Sequence, residues 1–173
     1  MKTSGSTVLL VEDDANDVFL MQRAFSKAQV SNPLHIARDG QEAIEYLNHL
    51  GSFADATRHP PPALMVLDLK MPRKNGFETL EWLRQQPGLK RMVAVVLSSS
   101  RQMTDINRAY DLGANSYLVK PGDFQKLVDL VNLLANYWLA VNEKPDIQNE
   151  AEAVSMMSCA ETQSESWTTI SRS

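Results

Sequence analysis

Residues 63–78 read ALMVLDLKMPRKNGFE. The run Ala63–Leu67 is continuously apolar, as expected of a strand buried on both faces of a sheet. An acid, Asp68, ends it. Met71-Pro72 then break any regular pattern, and Gly76 and Glu78 begin a helix. The loop between them is expected to wrap over Asp68 and leave it exposed.

The same unit recurs on both sides of this stretch. Thr7–Val11 (TVLLV) reads as a buried strand, and Asp14 can cap a helix from Ala15 to about Ala28. Leu34–Ala37 is a short strand. Asp39 and Glu42 have capping-box spacing and open a helix to about Leu50, which Gly51 ends. Residues 51–62 (GSFADATRHPPP) hold three consecutive prolines and read as a loop. After the central stretch, Gly76–Gln86 is a helix stopped by Pro87-Gly88. Met92–Leu97 is a strand, Met103–Leu112 a helix followed by Gly113, Ser116–Val119 a strand and Phe124–Val141 a final helix. Five strands and five helices in strict alternation predict an α/β fold. The expected architecture is a flavodoxin-like, doubly wound five-stranded parallel sheet, a three-layer (βα)5 sandwich.

Composition narrows the function. The chain has 173 residues, of which 43% are apolar, the size and content of one globular domain with room for an appendage. Its net charge is −4. Through Asn142 fifteen acids balance fifteen basic residues, and the excess lies in 143–173, with six acids against Lys144 and Arg172. No basic stripe marks a nucleic-acid binder, and no apolar stretch approaches the roughly 18 residues of a membrane span. The single cysteine, Cys159, allows no internal disulfide, which fits a reducing cytoplasm.

In a parallel sheet the strand ends lie on one edge, where ligands bind. Here they carry Glu12-Asp13-Asp14, Asp68, Ser98-Ser99-Ser100 and Lys120-Pro121. Glu12, Asp13 and Asp68 would repel one another unless a hard divalent cation sat among them, and Mg²⁺ takes such oxygen ligands. A carboxylate can attack phosphorus and hold the group as an acyl phosphate. Lys120 offers a compact positive charge and Ser98 a hydroxyl donor. A phosphatase with an aspartate nucleophile of the haloacid-dehalogenase type wants a second acid two residues on, where Lys70 stands. A nucleotide or flavin site wants a glycine-rich turn after the first strand, where Glu12-Asp13-Asp14 would repel a phosphate.

The segments VLLVEDD (8–14), LDLKMPRKNGFE (67–78), VVLSSS (95–100) and GANSYLVKP (113–121) resemble, in order, the signature segments of bacterial response-regulator receiver domains. The match covers roughly residues 6–141. The resemblance implies that Asp68 is the phosphoacceptor, served by a sensor histidine kinase. It implies that Glu12, Asp13, Asp68 and the backbone carbonyl of Lys70 bind Mg²⁺, and that Lys120 bonds the phosphoryl group. Ser98 would shift toward the phosphate and Tyr117 turn inward as a readout, while Lys120–Pro121 would be a cis bond. A receiver of this kind assists its own phosphorylation without being an enzyme. The 51–62 loop and VEDDANDVFLMQRAF (11–25) are similar to single-domain regulators paired with phytochromes. Lys70 and Ser100 depart from common family choices at positions that tune loss of the phosphate. A receiver-fold module that no longer uses phosphorylation, or a phosphorelay intermediate, are the alternatives.

The final helix is apolar on more than one face. Phe124, Leu127, Val128, Val131, Leu134 and Trp138 suit the sheet, whereas Leu130, Leu133, Tyr137 and Val141 point elsewhere. Such excess apolar surface suggests a homodimer. The receiver domain is expected to span 1–142. Residues 143–173, acidic and rich in Ser and Thr, read as a disordered tail with Trp167 and Ile170 unexplained.

Overall fold

The computed structural model describes residues 5–147. Strands β1 (Thr7–Val11), β2 (Leu34–Ala37), β3 (Pro62–Leu67), β4 (Ala94–Ser98) and β5 (Ser116–Val119) form one sheet in the order β2-β1-β3-β4-β5. Every pairing is parallel. The chain steps outward from β1 to β2, then returns to the far side of β1 with β3, so the winding reverses between β1 and β3. The register Val11↔Leu67 ends these two strands side by side and sets Glu12 next to Asp68.

Alternation along each strand sorts the core into two layers. Leu9, Val11, Met65, Leu67, Ala94 and Val96 pack on one face with α2 (Gly40–Leu47), α3 (Gly76–Gln85) and α4 (Met103–Asp111). Val8, Leu10, Leu64, Val66, Val95 and Leu97 pack on the other with α1 (Ala15–Lys27) and α5 (Phe124–Leu134). The central strands β1 and β4 are buried along their whole length, because helices cover both faces. The result is the predicted three-layer sandwich.

Several boundaries move. The helix expected to reach Leu50 stops at Leu47, where His49 takes a left-handed turn at φ 53° and a 3₁₀ turn, Gly51–Phe53, follows. Asp39 caps α2 through Gln41 and Glu42, but Glu42 reaches back to the amide of Arg38 rather than that of Asp39. The reciprocal capping box lies instead at Asn75 and Glu78, at the start of α3. The final helix changes pitch, α5 giving way to a π-helical turn over Ala135–Val141. In an α-helix Trp138 would follow Leu134 onto the core. The wider turn buries Leu139 instead, 4% exposed, and leaves Trp138 half-buried.

Leu133, Tyr137 and Val141 stay exposed, at 72, 56 and 73%. Beyond Asn142, Lys144 bonds the Ser6 hydroxyl and Ile147 packs against the α2–α3–α4 layer. The remainder of the expected tail, with Cys159, Trp167 and Ile170, lies outside the described residues. Among the described residues no helix is long and apolar enough to cross a membrane.

Candidate functional site

The site forms where β1 and β3 deliver their ends to one rim of the sheet. Asp68 follows the last residue of β3, and its amide donates to the Val11 carbonyl at 3.0 Å, continuing the ladder by one step. Its Oδ1 accepts from the amide of Leu69 at 2.8 Å. The side chain was expected to be exposed, but the residue is only 7% accessible. The loop and its neighbours close around it, and one substitution-sensitive contact shows how tightly. A Cβ on Gly76 would lie 2.2 Å from the Asp68 carbonyl oxygen and 2.8 Å from Leu69 Cα. Only glycine lets the first turn of α3 approach the Asp68 backbone this closely.

The loop after Asp68 is strapped to α2. Arg73 sits at φ 59°, a left-handed conformation that costs a non-glycine residue roughly 1–2 kcal/mol. Its guanidinium Nε donates to Asp39 Oδ2 at 2.5 Å, Nη2 also pairs with Asp39, and Glu42 stands 3.5 Å away. Asp39 is buried, so the ion pair and its two cap bonds together satisfy the carboxylate. The Gly40 amide adds a bond to the Lys74 carbonyl at 2.9 Å. Lys70 lies on the loop so held and is itself exposed.

Glu12, Asp13 and Asp68 offer carboxylate oxygens that all lie within 4.8 Å of one another. Glu12 and Asp68 are buried and Asp13 is exposed. Lys120 Nζ, from the end of β5, donates to Glu12 at 2.6 Å and to Asp17 at 2.7 Å, and stands 3.4 Å from Asp68 Oδ2. Burial raises the pKa of Glu12, with the Asp68 charge adding to the rise and the lysine opposing it. Burial alone would lower the Lys120 ammonium. Its hydrogen bonds to Asp17 and Glu12 and the charges of Asp68 and Glu12 outweigh that, and its pKa is raised. The lysine is therefore a fixed positive charge at any physiological pH.

Three converging carboxylates with a single cation between them are still net negative. Their hard oxygen donors, one of them open to solvent, fit a divalent metal ion that keeps some of its water. Glu12, Asp13 and Asp68 would hold it.

The remaining expected residues form a second line. Ser98, at the end of β4, is fully buried, and its Oγ accepts from the Ser100 amide at 3.3 Å. Its carbonyl accepts from the Lys120 amide at 2.9 Å, which joins it to the lysine strand. The Tyr117 hydroxyl donates to the Ser100 carbonyl at 3.0 Å, and the Ser100 hydroxyl to Asp105 at 2.5 Å. Tyr117 thus couples to the site through the serine run and does not enter the carboxylate cluster.

The Lys120–Pro121 bond is trans, for no cis peptide occurs among the described residues. The X–Pro trans form is favoured by about 0.5–1 kcal/mol, and Lys120 already reaches all three of its partners with it. Asp17, which no motif reading had singled out, belongs to the site. Its signal was its place in the first turn of α1, just past the acidic rim of Glu12 and Asp13.

A family model, the response regulator receiver domain, matches residues 8–132. The chain is 36% identical over 132 residues to response regulator Rcp1 of Synechocystis sp., covering 76% of this chain and 88% of that protein. It superposes on the phosphorylated cyanobacterial phytochrome response regulator RcpA with a TM-score of 0.74 at 36% identity, covering 81% of this chain and 98% of that one. With the Mn²⁺-bound form of Rcp1 the TM-score is 0.71 at 34% identity, covering 81 and 99%.

Proposed function

Because the chain belongs to the response regulator receiver domain family and is a receiver of two-component signalling, we propose that Asp68 is its phosphoacceptor, loaded from the phosphohistidine of a sensor kinase. One observation carries the reading: Glu12, Asp13, Asp68 and Lys120, from three strand ends, meet at the point where the sheet winding reverses.

Asp68 Oδ2, the oxygen not held by the Leu69 amide, attacks phosphorus. An O–P bond forms as the P–N bond breaks, and the donor imidazole leaves with the electron pair of that bond. Phosphoryl transfer of this kind depends mainly on positioning and on neutralising the equatorial oxygens. Lys120 supplies positive charge at the acceptor, and Ser98 supplies a hydroxyl once it turns from the Ser100 amide. The metal is Mg²⁺, which Glu12, Asp13, Asp68 and the Lys70 carbonyl would hold. When bound it would add a second positive charge beside the phosphoryl oxygens. The chain assists this transfer, and the later hydrolysis in which water attacks phosphorus and the Asp68 carboxylate leaves, without acting as an enzyme on other substrates.

The kinase is of the phytochrome type, a reading supported by the similarity to RcpA. The exposed Leu133, Tyr137 and Val141 support a homodimer through the final helix. The protein works in the cytoplasm, in keeping with its one cysteine and with the absence of a membrane-length helix among the described residues.

Phosphotransfer from radiolabelled candidate kinases in Mg²⁺ tests the central claim. Labelling of the chain that is acid-stable and alkali-labile, as an acyl phosphate is, supports it. A folded chain that neither kinases, acetyl phosphate nor beryllofluoride can modify contradicts it. Sedimentation as a monomer in both phosphorylation states would end the dimer reading.

A further inference from the structure

Lys120 is shared unequally. Its ammonium makes two short bonds, to Glu12 at 2.6 Å and Asp17 at 2.7 Å, and leaves Asp68 at 3.4 Å. An ammonium has three N–H donors. Two of them are therefore engaged by carboxylates that are not the acceptor. The two holders differ in one respect that matters. The Glu12 side chain is 4% exposed, the Asp17 side chain 39%.

A phosphoryl group arriving on Asp68 brings new negative oxygens beside the ammonium and competes for its donors. Without a bound metal ion Glu12 cannot release the lysine cheaply, because a buried carboxylate left unpaired is heavily penalised. Asp17 can, because water replaces the lost partner at an exposed ion pair. The exposed partner is thus the one that yields.

We propose that Asp17 is a positioning residue that holds Lys120 against α1 in the unphosphorylated protein and gives it up as Asp68 is phosphorylated, so that it retards the loading of Asp68. The inference rests on the reading of Asp68 as phosphoacceptor. A merely structural role is the alternative, since an acid in the first turn of α1 also favours the helix dipole. That role changes stability and leaves the lysine chemistry alone.

The test is phosphorylation by phosphoramidate, a small donor that needs no kinase contact, at saturating Mg²⁺. Asp17→Asn keeps the size and removes the charge. Its loading rate is expected to rise by up to about fivefold, the factor that corresponds to an exposed ion pair of ~1 kcal/mol. Asp17→Glu, which restores the charge, is expected to bring the rate back toward wild type. A rate for Asp17→Asn equal to or below wild type overturns the proposal. A second measurement uses the unaltered chain. On adding beryllofluoride with Mg²⁺, the Asp17 carboxyl ¹³C and Lys120 ¹⁵Nζ resonances are expected to shift together as their contact is lost. An Asp17 signal that stays in place also overturns it, whether or not the variant folds. If the folded wild type takes neither reagent, the phosphoacceptor reading falls and this inference with it. If the wild type is labelled and Asp17→Asn loads no faster, only the inference falls.

Discussion

Two polar regions of this molecule are held in opposite ways. At the rim, Glu12, Asp17 and Asp68 crowd around Lys120, Asp13 joins Glu12 and Asp68, and burial raises the pKa of Glu12 against its own ionisation. At the loop of residues 51–62, rings do the holding. Tyr46, fully buried on α2, meets His35 of β2, Phe53 and His59 with centroids between 5.3 and 5.7 Å. His35–His59 and Phe53–His59 contacts complete the cluster, both near edge-to-face, while Tyr46–Phe53 is tilted at 56°. The Tyr46 hydroxyl then donates to the Pro60 carbonyl at 2.9 Å and pins the triple proline. The rim concentrates like charge that opposes folding and serves chemistry. The aromatic clasp packs rings against one another out of water and serves folding.

The largest expected effect breaks the two regions apart. Asp68→Asn is expected to abolish labelling by every phosphodonor. Without divalent ions its thermal midpoint is expected to stay at or above wild type, since one of the repelling charges is gone. Labelling assays beside calorimetry check both halves. A large loss of stability would show that the rim is structural after all. The clasp should give the reverse. Tyr46→Ala is expected to lose about 3–5 kcal/mol in denaturant unfolding, the range for removing a buried aromatic. Tyr46→Phe should lose about 1 kcal/mol, the share of one hydrogen bond. Both should still accept phosphate wherever they remain folded.

The same contrast explains what the sequence made legible. Strands β1, β3 and β4 are apolar apart from Thr7 and Ser98 at their ends, so their burial on both faces could be read directly. The rim residues could be read because an acid or lysine straight after such a strand has one place to be. Asp17 escaped because its position depends on helical phase relative to Lys120, more than a hundred residues away. The clasp escaped for a similar reason. His35, Tyr46, Phe53 and His59 lie on four separate segments, and only the folded loop brings their rings together. The π-helical turn was hidden too, since Trp138 and Leu139 are adjacent and apolar and only packing chooses between them.

A smaller effect sharpens the rim alone. Lys70 is exposed two residues past Asp68 and belongs to none of the ion pairs among the described residues. Its ammonium is free to sit over a phosphoryl group and exclude water. Lys70→Asn is expected to shorten the phosphoprotein's half-life by up to about fivefold, as befits one exposed cation. Decay of the acyl phosphate after donor removal measures it, and an unchanged half-life would assign the position no such part.

The smallest effect belongs to the clasp and is read from pH. Burial, and then the charge of His59, hold the His35 pKa below its ordinary 6.5. The unfolded chain therefore takes up a proton at His35 before the folded one does, and stability rises with pH where that difference exists. The contribution is fully present above about pH 6.5. It is lost as pH falls from there through the lower folded value. Unfolding midpoints between pH 7.5 and 5.5 should accordingly drop, and His35→Gln should flatten part of that drop. The rim works against confusion with this signal, because Glu12 is an acid with a raised pKa. Its protonation at low pH relieves repulsion and so shifts stability upward as pH falls. A wild-type curve that falls on acidification, and falls less in His35→Gln, thus reports the ring cluster rather than the carboxylates.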